Sequence, residues 1–260
     1  MQELAVTISY DNKNDSVYDT IDAIKKAGFR KVFLQWYDKD WEVSQQQQCN
    51  YARQQGLEII FAHLGYQSIN DLWLEGETGD GFIERFCRDI DDCAANGIPM
   101  VMMHLCSKSV APEPNEIGLE RLRKIVAHAV EKNIKIAFEN TKIPGYQEYV
   151  LSRIPEAGNC YDAGHCHAHF NDEYDFAQFK DRFYCVHLHD NHGESDEHLL
   201  PGDGTIDWPK VMAELKHNGY AGPITLEIVY HGPYTDMTLD EFYQEGFRRG
   251  QWLQKLYEEA

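Results

Sequence analysis

The stretch IKIAFENTKIPGYQEYVLSRIPEAGNCYDAGH, residues 134–165, decides the fold. An apolar run closes on Glu139, a helix-length segment over 146–152 follows, and a second apolar run closes on Asp162. Two short β-branched or aromatic runs on either side of a helical segment make one repeat of a parallel sheet. Outward from it the alternation continues to both ends of the chain. It predicts strands over residues 4–10, 31–36, 57–64, 100–105, 134–140, 158–162, 184–190 and 224–230. Helices are predicted over 16–27, 42–55, 81–96, 115–132, 146–152, 175–182, 208–218 and 239–258. An open doubly wound sheet would favour a Gly-rich phosphate loop after the first strand, and residues 9–15 hold none. The pattern is that of a single (β/α)8 TIM barrel, one domain over residues 1–260, with no linker or low-complexity tract to divide it.

Composition agrees. A length of 260 residues is usual for one such barrel, and 43% apolar residues suffice for its core. No run approaches the roughly 20 apolar residues of a membrane helix. The N-terminus enters a strand-like segment without a basic region, so a cytoplasmic location and no membrane partner are expected. Seven cysteines, odd in number and scattered through apolar segments, read as reduced thiols. Forty-three acidic against 24 basic residues give a net charge of −19, which argues against nucleic acid as a partner. A local basic patch or bound cations would reverse that sign within one cleft.

The polar residues fall at the ends of the apolar runs: His63, His104, Glu139, Asp162, His187 and Glu227. In a parallel barrel these ends share the C-terminal mouth, where barrel active sites are built. Burying a lone carboxylate there costs several kcal/mol unless it is paired or bound to a cation. Three carboxylates converging with imidazoles therefore point to a divalent metal. Each residue alone also fits a satisfied strand end; six on one face argue for a site.

Asp162 and His165 stand three residues apart across a small-residue turn, close enough to address one metal or two adjacent ones. Downstream, residues 190–198 (DNHGESDEH) are acidic and His-rich. His192 reads there as a solvated residue, whereas Asp196 and His198 form an Asp-x-His pair. The Pro-Gly-Asp-Gly of 201–204 reads as a loop turning back over the mouth, with Asp207 capping the next helix. Trp36, Trp73, Tyr10, Tyr66 and Tyr230 lie near strand ends, where aromatic faces can stack on a sugar ring or simply pack. Lys108 and Lys142 follow strands 4 and 5 and could face an anion, but no Arg pair or helix-start glycine cluster marks a phosphate site. Cys166 reads as a spectator thiol, since Asp162 and His165 already supply the ligands of that turn.

Phe-Glu-Asn at 138–140, Tyr-Asp-Ala-Gly-His at 161–165, Val-His-Leu-His-Asp at 186–190, the run 198–208 and Leu-Glu-Ile at 226–228 together carry a resemblance over nearly the whole chain. The sequence resembles the xylose isomerase-like barrel superfamily, in particular its sugar (phosphate) isomerase/epimerase branch, and shares ligand positions with endonuclease IV-type apurinic endonucleases. By that resemblance Glu139, Asp162, His187 and Glu227 hold one Zn, Mn, Mg or Co ion. Glu139 and Glu227 are then the catalytic pair, moving a proton on and off a carbon beside a carbonyl. The repair enzymes hold three zinc ions, and their ligand types are all present here as His63, His104, Glu139, Asp162, His165, His187, Asp196, His198 and Glu227. One metal is thus implied, with ligands for up to three. The expected activity is a metal-dependent isomerase or epimerase acting on a small sugar, sugar phosphate or cyclitol, with Trp36, His165 and Lys142 against the substrate. The alternative is an apurinic endonuclease with a multi-zinc phosphodiesterase site. Homo-oligomerisation stays open.

Overall fold

The computed structural model describes residues 2–9, 15–37, 43–107 and 110–260. Its strands are β1 (Leu4–Ile8), β2 (Lys31–Trp36), β3 (Glu58–Leu64), β4 (Met100–Met103), β5 (Lys135–Glu139), β6 (Gly158–Asp162), β7 (Phe183–His187) and β8 (Ile224–Leu226). The helices that follow them are α1 (Val17–Ala27), α2 (Gln45–Gln54), α3 (Glu77–Ala95), α4 (Glu116–Glu131), α5 (Tyr146–Leu151), α6 (Ala163–Phe170), α7 (Trp208–His217) and α8 (Leu239–Glu259). All the pairings between named strands are parallel, in the order β7-β6-β5-β4-β3-β2-β1-β8. The ring closes just past β7, where Leu188 N donates to Thr225 O at 2.9 Å and Glu227 N donates to Leu188 O at 3.1 Å. The chain is a (β/α)8 barrel.

Strand alternation divides the core into two layers. Phe33, Phe61, Met100, Met102, Ala137, Cys160 and Cys185 fill the barrel interior, whereas Val6, Leu34, Ile136, Tyr161 and Val186 face the helices. Helix starts follow from local chemistry: Ser16 with Asp19 and Thr238 with Glu241 form capping boxes on α1 and α8. Asp207 caps α7, its side chain accepting from Lys210 N. Gly28 ends α1 at φ 111°, and an added Cβ would lie 3.2 Å from the Phe247 ring.

The sixth helix departs from expectation. It was expected over 175–182, but that segment holds only a 3-10 turn, Phe176–Phe179, and α6 begins directly at the end of β6. Its His-rich sequence, AGHCHAHF, carries little apolar periodicity, and the start is fixed instead by Asp162, whose carboxylate accepts from His165 N at 2.7 Å. The turn read at 163–165 is the first turn of a helix. β8 is also shorter than its apolar run, and α3 begins four residues earlier than expected. Residue 10 of the first expected strand and residue 42 of the second expected helix lie outside the described residues.

Candidate metal centre

Inward-facing positions one rung above the apolar layer carry the site. β5 ends on Glu139, β6 on Asp162 and β7 on His187, with Glu227 just past β8. All four are buried, Glu227 being the most exposed at 5%. One ligand atom from each lies within 4.8 Å of the other three. His187 Nδ1 stands 2.5 Å from Glu139 Oε1, 3.2 Å from Glu227 Oε2 and 3.8 Å from Asp162 Oδ2. Its ring is stacked on Phe33 at 5.0 Å, which fixes its plane.

The flanking residues form two further groups. His63 and His104 converge on Glu139, with His104 Nε2 2.6 Å from Glu139 Oε2. Despite that distance Glu139 Oε2 has no hydrogen-bond partner, so the two atoms meet at an angle that places no N–H between them. On the other side Asp196 faces His165 Nε2 at 3.2 Å, His198 Nε2 at 3.3 Å and His189 Nε2 at 3.6 Å.

Backbone carbonyls set the tautomers of three histidines. A carbonyl only accepts, so Nδ1–H donates from His63 to Leu64 O, from His165 to Asn140 O and from His198 to Glu227 O, at 3.0, 2.9 and 2.9 Å. Each leaves Nε2 facing the site, the arrangement that orients metal-binding imidazoles. Asn140 joins the ends of β5 and β6: its Nδ2 donates to Asp162 O at 2.8 Å and its Oδ1 accepts from Asp162 N at 2.7 Å.

The electrostatics of the centre favour a cation. Burial opposes ionisation of Glu139, yet His187 and His104 hold its carboxyl well below the usual range. Burial likewise opposes charging His187, but Glu227 and Glu139 raise its pKa well above normal. His165 is raised in the same way by Asp162 and Asp196. His63 is the exception, pushed down to about 4 by burial and by His104. Protons on imidazoles thus neutralise a buried carboxylate cluster, the task a divalent ion performs in its place. Buried Glu139 Oε2 and Asp196 Oδ1, both without hydrogen-bond partners, fit the same requirement. The residues present fit a divalent metal.

Not every expected residue reaches the site. Trp36 alternates with Phe33 and Gln35, so it faces outward, lining a cavity with Gln45, Gln46 and Asp92. Its expected stacking on substrate is corrected by that register. Lys142 is exposed beyond β5, within electrostatic range of His169. Trp73 packs on Tyr146 and donates Nε1–H to Leu105 O, and Tyr230 packs on Phe242 and donates to Met237 O. Tyr66 does lie at the mouth, stacked 4.3 Å from His104 and 37% exposed. The loop 201–204 turns back, but its tip is tied by Asp203 to Tyr234 and to Arg249 of α8. Cys166 is buried and belongs to no ligand group among the described residues. Tyr10 and Lys108 lie outside the described residues.

Two residues of the site were missed. His189 is two positions beyond His187 and faces the same way, 3.2 Å from Asp162 Oδ1. Strand periodicity in Val-His-Leu-His-Asp was the available signal. Gly164 makes room for it, since an added Cβ would lie 1.9 Å from the His189 ring. Gln35, two residues after Phe33 on the inner face, donates Nε2–H to Glu227 Oε1 at 3.4 Å.

A family model described as xylose isomerase-like TIM barrel matches residues 21–256, and the chain belongs to that family. The Sinorhizobium fredii protein y4fM is 30% identical over 163 residues, 56% of this chain and 52% of that one. The chain therefore spans about half the length of the curated relatives it matches. Among solved structures, L-ribulose 3-epimerase superposes with a TM-score of 0.77 at 14% identity, covering 100% of this chain and 97% of that one. The IOLI protein with a zinc atom gives 0.74 at 16%, covering 100% and 99%. At such identities the likeness is one of fold. Among the described residues no helix is long and apolar enough to cross a membrane.

Proposed function

We propose that the protein is a metal-dependent isomerase or epimerase acting on a small sugar, sugar phosphate or cyclitol. The observation that carries this reading is the pair of buried glutamates, Glu139 and Glu227, both within 3.2 Å of His187 Nδ1 in a site they share with Asp162. The metal would be held by Glu139, Asp162, His187 and Glu227, and when bound it supplies positive charge against the negative charge that develops on carbonyl and hydroxyl oxygens. Glu139 and Glu227 take and return a proton at the carbon beside the carbonyl, a role that general acid–base catalysis rewards by roughly 10²–10⁴-fold. Gln35 orients the Glu227 carboxylate, and Tyr66 offers a ring face at the entrance. Relatives of the same fold that include an epimerase and a zinc-bound protein support the reading. The test is conversion of a ketose panel into epimers or isomers followed by chromatography. Activity should vanish on chelation and return with Mn²⁺; an unaltered panel would refute the proposal.

A second reading has its own observation. The groups His63/His104/Glu139, Glu139/Asp162/His187/Glu227 and His189/Asp196/His198 provide for up to three ions, the number the resemblance to apurinic endonucleases implies. Metal analysis separates the readings: three ions per chain with cutting of an abasic duplex favours the nuclease, and one ion with sugar turnover favours the isomerase.

A further inference from the structure

Cys160 lies where neither reading uses it. β6 alternation places it two residues before Asp162 on the same inner face, and the β5–β6 register sets it directly beside Glu139. Its Sγ is 3.9 Å from Glu139 Oε1, and one donor atom each from Glu139, Cys160 and His187 all fall within 4.8 Å. All three residues are buried, at 1%, 0% and 0% exposure. Glu139 Oε2 and His187 Nε2 have no hydrogen-bond partners. Cys185, paired in register with Cys160 across β6 and β7, adds a second thiol beside the first.

Resting on the central site being a metal site, we infer that Cys160 gives it a second and deeper coordination set. Glu139, Cys160 and His187 take a thiophilic divalent ion, zinc or cadmium, in place of a hard ion held by Glu139, Asp162, His187 and Glu227. Thiolate and imidazole suit soft and borderline ions, whereas carboxylates suit magnesium and manganese. An ion bound at about 2.3 Å from sulfur and 2.0–2.1 Å from nitrogen would sit among donors that already lie within 4.8 Å of one another. As the ion enters, the Cys160 S–H bond breaks, the sulfur–metal bond forms and the proton leaves to solvent. The Cys185 thiol is placed to donate to the resulting thiolate. Because both sets use Glu139 and His187, they exclude each other, and the core holds one ion at a time. The identity of that ion decides whether Asp162 and Glu227 remain ligands.

The test uses the metal-free full-length protein and the ions alone. Cadmium should produce sulfur-to-metal charge-transfer absorption in the ultraviolet, and excess manganese should suppress it. Cys160→Ser should lose the band and bind cadmium roughly tenfold or more weakly, with manganese affinity unchanged. Cys185→Ser should keep the band. Cadmium binding without thiolate absorption, or a band that survives in Cys160→Ser or resists manganese, overturns the inference and leaves the central site intact. If neither ion binds, the metal reading of the site falls with it. The wild-type spectrum and competition decide the matter even if the serine variant folds poorly.

Discussion

His63, His165 and His198 each give Nδ1–H to a backbone carbonyl and turn Nε2 to the centre, so the imidazoles are oriented before any ion arrives. In the metal-free site burial works against charge on His198, yet Asp196 and Glu227 outweigh it and raise its pKa from 6.5 to about 10. That proton stabilises the metal-free fold fully below about 6.5, and its contribution is lost as pH rises through about 10. A cation held by His189, Asp196 and His198 must displace the same proton. Metal affinity, and the gain in Tm on adding Mn²⁺, should therefore increase with pH across this window; a flat profile in thermal-shift titrations would contradict the proton-for-metal exchange. Gly164→Ala should drive the His189 ring from its place and lower Tm, as measured by thermal unfolding. Glu139, Asp162, His187 and Glu227 were legible in the sequence because each ends an apolar run. His189 was not, because two histidines so close read as one strand end, and Trp36 was misplaced because nearness to a strand end does not fix which face a side chain takes.

At the scale of elements, the loop after β7 is organised by Asp190, a buried carboxylate that accepts from Gly202 N at 2.7 Å, Trp208 Nε1 at 2.8 Å, Asn191 N at 3.0 Å and Ile206 N at 3.2 Å. Asp190→Ala leaves these buried donors unpaired and should cost about 3 kcal/mol or more, read from denaturant unfolding. The loop tip is fastened to α8 through Asp203 and Arg249, and Arg249 also binds Glu245. Arg248 and Arg249 depress Glu245 to about 2 from 4.5. The sign is that of a lowered carboxylate: stability present above about 4.5 is lost as pH falls toward about 2. The Tm difference between wild type and Glu245→Gln should shrink over that range, and a constant difference would refute the role. The group is half-buried and still reached by solvent, so the effect is small. Helix starts with a capping box, such as Ser16 and Thr238, could be read from sequence, whereas α6 could not. Its start depends on a carboxylate at the end of a strand, and its sequence carries little apolar periodicity.

Across the whole molecule, a barrel closed by hydrogen bonds from Leu188 to Thr225 and from Glu227 to Leu188 places candidate ligands from β5, β6, β7 and the end of β8 at one mouth. An ion that joins them ties elements distant in sequence, so its removal should be felt globally. At a hundredfold excess over Kd an ion contributes about 2.7 kcal/mol, or roughly 5–10 °C in Tm for a chain of this size. The barrel itself was plain in the sequence, because eight apolar runs repeat the alternation of residues 134–165. The reaction was not, because the same ligand types serve sugar and phosphodiester chemistry. The most direct measurement is deuterium exchange: the metal-loaded protein in heavy water with a panel of small ketoses, followed by NMR. Deuterium should enter at the carbon beside the carbonyl of at least one sugar, and Glu139→Gln or Glu227→Gln should each abolish that exchange. If no sugar exchanges while an abasic duplex is cut, or if either glutamine variant exchanges normally, the two-glutamate account is wrong.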